Sequence, residues 1–178
     1  MDKIILLHIC CAPCAVGVVE RLREEQCKVT GFFYNPNIYP KKEYDLRLDN
    51  VYKLASQIGG PFFVGPYNTK DWYQEVQGLE VEPEGGKRCE VCYRMRLDYT
   101  AQVAKSKGYE LFTTTLTVSP NKPSKIINPI GQEVGERYKI KFLEQNFKKQ
   151  DGFKRSVILS NKYGLYRQSY CGCEFSMH

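Results

Sequence analysis

At 178 residues and 20.6 kDa the chain is long enough for one domain with a substantial core and too short for two ordinary ones, so residues 1–178 are read as a single domain. Hydrophobic residues at 42% and charged residues at 26% exclude wholesale disorder, collagen-like repetition and coiled coil. Lys and Arg total 26 against 20 Asp and Glu, a net charge of +6 that suits a polyanionic partner without requiring one. No apolar run approaches the ~20 residues that cross a bilayer, and Met1 to Leu7 is too short for a signal peptide. A cytoplasmic protein with no membrane partner is expected.

Lys3 to Ile9 is an apolar run that reads as a buried strand. A helix follows, opened by Pro13 at a first-turn position and striped by Val16, Val19 and Leu22. Lys28 to Tyr34 is a second strand, and Asn35 to Pro40 a loop imposed by proline and asparagine. The spacing predicts a second helix from about Tyr44 to Ile58, ended by Gly59-Gly60-Pro61, and a short strand at Phe62 to Val64. Gly78 to Arg88 reads as a mobile loop, and Cys89 to about Lys107 as a helix closed by Gly108. Tyr109 to Val118 is dense in Thr, Phe and Val and reads as one strand, stopped by Ser119-Pro120.

The last third is less regular. A helix around Ser124 to Tyr138 is expected to break at Pro129. A strand-like Lys139 to Leu143, a basic loop carrying Lys148, Lys149, Lys154 and Arg155, and a short helix at Ser156 to Lys162 follow. Strands alternating with helices imply an open, mostly parallel α/β sheet of about five strands with flanking helices, a Rossmann-like arrangement. Its ligand site falls at the carboxyl ends of the strands.

Seven of the eight cysteines fall into three tight groups: Cys10, Cys11 and Cys14; Cys89 and Cys92; Cys171 and Cys173. The eighth, Cys27, reads as a small buried hydrophobe. Thiols near a helix start are stabilised as thiolates. Helices beginning at one sheet edge can bring Cys10, Cys11, Cys89 and Cys92 into a four-thiolate site suited to zinc or to a [4Fe-4S] cluster. A structural zinc leaves Cys14, Cys171 and Cys173 unused. Redox chemistry absorbs them, as a strained and reducible Cys171/Cys173 ring or as ligands of a second metal. Iron-sulfur, zinc and metal-free dithiol chemistry stay open on spacing alone.

HICCAPC after the first strand, NPNIYPKKEYDLR after the second, KRCEVCYRMRL, FTTTLTVSPNK and the terminal QSYCGCEFS together resemble the QueH-type epoxyqueuosine reductases over nearly the whole chain. The resemblance implies a PP-loop or nucleotide-hydrolase-like fold and an enzyme that reduces the epoxide of epoxyqueuosine at the wobble position of tRNAs with GUN anticodons. That reaction is the last step of queuosine synthesis and is run without cobalamin. It implies a [4Fe-4S] cluster on Cys10, Cys11, Cys89 and Cys92, with Cys171 and Cys173 as a redox-active pair. The chain has no SGGxDS phosphate loop, so ATP is not an expected cofactor.

Turning an epoxide into an alkene takes two electrons and two protons, whereas a [4Fe-4S] cluster passes one electron at a time. The Cys171/Cys173 dithiol or an additional mononuclear iron on Cys14, Cys171 or Cys173 is the expected complement. No flavin or nicotinamide fingerprint is present, which points to an external ferredoxin or flavodoxin-like donor. His8, Tyr93 and Tyr170 flank the cysteines and read as packing residues. Candidate tRNA contacts are Lys41, Lys42 and Arg47 beside Tyr39 and Tyr44; Lys87, Arg88, Arg94 and Arg96 around the second cysteine pair; and Lys122 and Lys125. Asn35 and Asn37 are candidates for hydrogen bonding the modified base.

Overall fold

A computed structural model describes residues 3–177. Five strands, β1 (Lys3–Ile9), β2 (Cys27–Phe33), β3 (Phe62–Val64), β4 (Leu111–Thr114) and β5 (Lys141–Phe142), form one sheet. Its order is β3-β2-β1-β4-β5 and every pairing is parallel. β1 takes the centre because Ile5 to Ile9 are apolar or hydrogen-bonded on both faces, as a doubly covered strand requires. The connections are α1 (Ala12–Glu24), α2 (Lys41–Ile58), α3 (Thr69–Glu75), α4 (Lys87–Ser106), α5 (Ser124–Tyr138) and α6 (Gly152–Lys162).

The sheet is sandwiched. Ile5, Leu7 and Ile9 pack with residues of α1, α2 and α6, while Leu6 and Phe112 pack with residues of α4 and α5. Chain order reverses between β1 and β4, so the switch point lies where β1 ends at Ile9 and β4 ends at Thr114.

Several boundaries differ from expectation for identifiable reasons. The expected strand Tyr109 to Val118 keeps only Leu111–Thr114, and Thr115–Val118 turns into a 3-10 helix. Its threonines serve as hydrogen-bonding groups: Thr114 Oγ1 accepts from the Leu116 amide at 3.1 Å and thereby caps the turn. Pro129 does not break α5, which runs unbroken for 15 residues because Ile127, Ile130 and Val134 bury against the sheet and offset one missing backbone bond. Gly78 to Arg88 is pinned, since Arg88 Nη1 donates to the carbonyls of Leu79 and Glu80 at 3.1 and 3.0 Å and to that of Glu82. Lys154 and Arg155 belong to α6, which starts at Gly152, and α3 was not anticipated.

Candidate cysteine-lined active site

Cys10 follows the last residue of β1, Cys11 is the N-cap of α1, and Cys14 lies in its first turn. The three thiol sulfurs lie within 4.8 Å of one another. Thr115, from the 3-10 turn after β4, accepts from the Cys10 amide at 3.1 Å and donates to Cys10 Sγ at 3.2 Å. Gln168 Nε2 donates to Cys11 Sγ at 3.0 Å. Hydrogen bonds from Cys11 and Cys14 hold the Cys10 thiol well below its ordinary value. In turn Cys10 pushes the Cys11 thiol up to about 11 and raises that of Cys14. Of the three, Cys10 is the thiol whose ionisation its neighbours favour.

Cys89 and Cys92 sit in the first two turns of α4, and the Gly85 amide donates to Cys89 Sγ at 3.1 Å. They line a cavity together with Cys171 and Cys173 from the C-terminal segment. All eight cysteines are free thiols, and the Ser176 hydroxyl lies 3.0 Å from Cys171 Sγ and 3.5 Å from Cys173 Sγ. The hydrogen bond from Cys173, with help from Lys122 and Ser176, brings the Cys171 thiol down to about 4, while that of Cys173 is raised.

The C-terminal segment is held by Arg47, buried on α2, whose Nη1 and Nη2 each donate at 3.0 Å to the carbonyls of Cys171 and Tyr170. The Tyr39 amide donates to the Gly172 carbonyl at 2.8 Å. Gly172 has φ +128°, and a side chain there would come within 3.1 Å of Arg47 and of Ile38.

Three cations lie among the cysteines, and two of them, Arg96 and Lys122, face both groups. Arg88 and Arg96 are 1% and 3% exposed, and Lys122 is half-buried. Among the described residues none of the three has a carboxylate within ion-pair distance. Burial works against the charge on Arg96, but Cys92 and Cys10 outweigh it and raise its pKa. Lys122 behaves likewise toward Cys10, Cys14 and Cys171. Arg96 Nε donates to the Cys92 carbonyl at 3.3 Å and Nη1 to Asn35 Oδ1 at 3.4 Å, while Asn35 Nδ2 donates to the Ile9 carbonyl at 2.9 Å. Buried cations without carboxylates need an anionic neighbour, and clustered thiolates supply it. A donor set of soft thiolates balanced by fixed positive charge fits an iron-sulfur cluster or another thiolate-bound metal.

Several sequence assignments change. Arg88, Arg96 and Arg47 lie inside the protein and cannot meet tRNA phosphates, and Tyr44 is likewise buried. Lys41, Lys42, Lys87 and Lys125 are exposed, and Arg94 is half-exposed in an ion pair with Glu133 at 2.8 Å. Sequence reasoning missed Thr115, Gln168 and Trp72 at the site. The threonine run was visible but read as strand propensity.

An all-parallel sheet with cysteines at its switch point defines a PP-loop-like α/β protein in which thiols line the strand ends. The U34-tRNA thiolase NcsA from Methanococcus maripaludis, solved with its [4Fe-4S] cluster, shares this fold with a TM-score of 0.60 and 12% identity, covering 100% of this chain and 63% of that one. Residues 5–178 match the family described as Epoxyqueuosine reductase QueH. Proteins of that name from Streptococcus pyogenes, Thermotoga maritima and Haemophilus influenzae are 41%, 40% and 37% identical. The alignments cover 97% of this chain and 69%, 90% and 71% of theirs. The chain belongs to the epoxyqueuosine reductase QueH family, oxidoreductases of tRNA queuosine biosynthesis.

Proposed function

We propose that this chain, as a single domain, reduces the epoxide of epoxyqueuosine at the wobble position of GUN-anticodon tRNA, the last step of queuosine synthesis. It does so without cobalamin or ATP, in the cytoplasm. Cys10, Cys11, Cys89 and Cys92 hold a [4Fe-4S] cluster, which when bound supplies electrons one at a time. Cys171 and Cys173 form the redox pair beside it, and Cys14 is available to a second iron. Electrons come from a ferredoxin or flavodoxin-like protein.

One observation carries the reading: cysteines from three distant chain segments surround three cations that have no carboxylate partner. The protein's own groups then have separable roles. Thr115 and Gln168 orient Cys10 and Cys11. Arg47 fixes the segment that presents Cys171 and Cys173. A cleft lined by Cys14, Lys122, Phe153, Arg167, Gln168 and Cys171 gives an unpaired nucleotide access to the thiols. Exposed Lys41, Lys42 and Lys87, with half-exposed Arg94, are left to contact phosphates.

Anaerobic purification with iron, sulfide and zinc analysis, followed by assay on epoxyqueuosine tRNA, tests this. About four irons and four sulfides with turnover are expected. Cys171→Ser retains the four irons and loses turnover. One zinc, no sulfide and no turnover after anaerobic reconstitution would sink the proposal.

A further inference from the structure

A hollow without any cysteine in its wall lies between the start of α5 and the segment that joins β5 to α6. It holds about 590 Å³, within the roughly 300–1,000 Å³ typical of small-molecule sites, and its walls include Arg21, Ser124, Lys125, Asn128, Asn146 and Lys149. No side chain caps α5 and its first turn carries no acidic residue, so the amides of Ser124 and Lys125 have no intrahelical partner. Lys125 and Lys149 are exposed and, among the described residues, neither has a carboxylate within ion-pair distance. Glu144, the acidic residue of the wall, is occupied in accepting from Gln132 Nε2 at 3.1 Å. The hollow therefore offers a surplus of positive charge and of N–H donors to an anion.

Asn128 adds a second demand. Its side chain is 7% exposed, and Nδ2 donates to the Gln145 carbonyl at 3.2 Å, which fixes Oδ1 as the atom left without a partner. Asn146 Oδ1 is buried and unpartnered on the same wall. A buried acceptor without a donor is costly, and a ligand hydroxyl or amino group removes that cost. Sulfate or a carboxylate answers the cations alone, whereas a ribonucleotide answers both demands with its phosphate and its 2′-hydroxyl. The hollow is also continuous with the thiols: an adjoining one shares Arg21, Lys149 and Gln150 with it and Cys14 with the cleft in front of the cysteines. Along α1 the step from Cys14 to Arg21 is about 10 Å. We propose that this hollow binds a ribonucleotide of the substrate RNA outside the reacting base, with its phosphate on the start of α5, Lys125 and Lys149 and its 2′-hydroxyl donating to Asn128 Oδ1. The assignment rests on the reductase reading, in which the wobble base enters the thiol cleft and a neighbouring loop nucleotide follows the groove along α1.

The anaerobically purified full chain is titrated with an RNA hairpin carrying a GUN anticodon loop, with the same hairpin made 2′-deoxy throughout the loop, and with adenosine monophosphate. Lys125→Ala/Lys149→Ala, altered only at exposed positions, is expected to bind the RNA hairpin roughly tenfold more weakly, with the slope of log affinity against log salt reduced by about 1–2. The 2′-deoxy loop binds the unaltered protein more weakly than RNA, and Asn128→Ala removes most of that difference. No saturable hairpin binding, an unchanged affinity and slope in the lysine variant, or a 2′-deoxy penalty that a folded Asn128→Ala leaves intact would each overturn the subsite; the lysine variant decides alone where Asn128→Ala does not fold. Saturable binding of adenosine monophosphate that needs both lysines and is not displaced by the hairpin would mark a free-nucleotide site and overturn the assignment to RNA. The expected dependences in a sample that turns over no epoxide support the subsite and count only against the reductase reading.

Discussion

His8, next to last in β1, is fully buried, and both ring nitrogens are engaged: Nε2 donates to the Tyr34 carbonyl and Nδ1 accepts from Thr114 Oγ1, each at 2.9 Å. Burial, reinforced by Arg96, lowers its pKa to about 4 from 6.5. The ring is therefore a neutral strut beneath Cys10, consistent with packing, and not a proton donor. Between these two values the unfolded chain binds a proton that the folded one refuses. The stability His8 contributes is full above pH 6.5 and is lost as pH falls toward 4, by roughly 3 kcal/mol. NMR of the metal-free, reduced protein should show the His8 imidazole unprotonated at pH 5.5, and urea unfolding should weaken between pH 7 and 5. A His8 signal titrating near 6.5 would contradict both. Tyr170 is also committed, its hydroxyl donating to the Tyr39 carbonyl.

At the level of elements, α5 shows what sets the width of the sheet's outer half. Gly131 and Gly135 face β4 and β5: a Cβ on Gly131 would fall 2.5 Å from the Phe142 ring and one on Gly135 2.7 Å from the Ile140 carbonyl. The two glycines lie one turn apart and let the helix approach closely enough to bury Ile127, Ile130 and Val134. Gly131→Ala is expected to destabilise by about 1–3 kcal/mol, because the ring must shift within a packed core. Pairing it with Phe142→Leu should recover most of the loss in urea unfolding. An unperturbed single variant would show that α5 stands further from β5. The helix-breaking signal of Pro129 was legible in the sequence, but the packing that overrides it is a property of the assembled layers.

For the whole molecule, the net charge of +6 combines with an interior that sequesters Arg47, Arg88 and Arg96 and an exterior that displays Lys41, Lys42 and Lys87. Only the exterior set can release counterions from tRNA. A Lys41→Ala/Lys42→Ala double variant should reduce the slope of log affinity against log salt by about 1–2 and leave thermal stability nearly unchanged. A slope equal to that of the unaltered protein would remove these lysines from the interface. Among the described residues no helix is long and apolar enough to cross a membrane.

The elements and the partitioning of the cysteines were readable in the chain because both are local. An uninterrupted apolar run such as Lys3–Ile9 already encodes a strand covered on both faces, and alternation with amphipathic helices encodes parallel pairing. Five ordered motifs pointed to the family. The tertiary structure alone decided which side chains meet: that Thr115 closes onto Cys10 across 105 positions, that Gln168 reaches Cys11 across 157, and that Arg88 and Arg96 turn inward while Lys87 and Arg94 do not. Periodicity reports which face of an element is buried. It carries no information on which distant face lies opposite, and the charge balance of this site exists only between such faces.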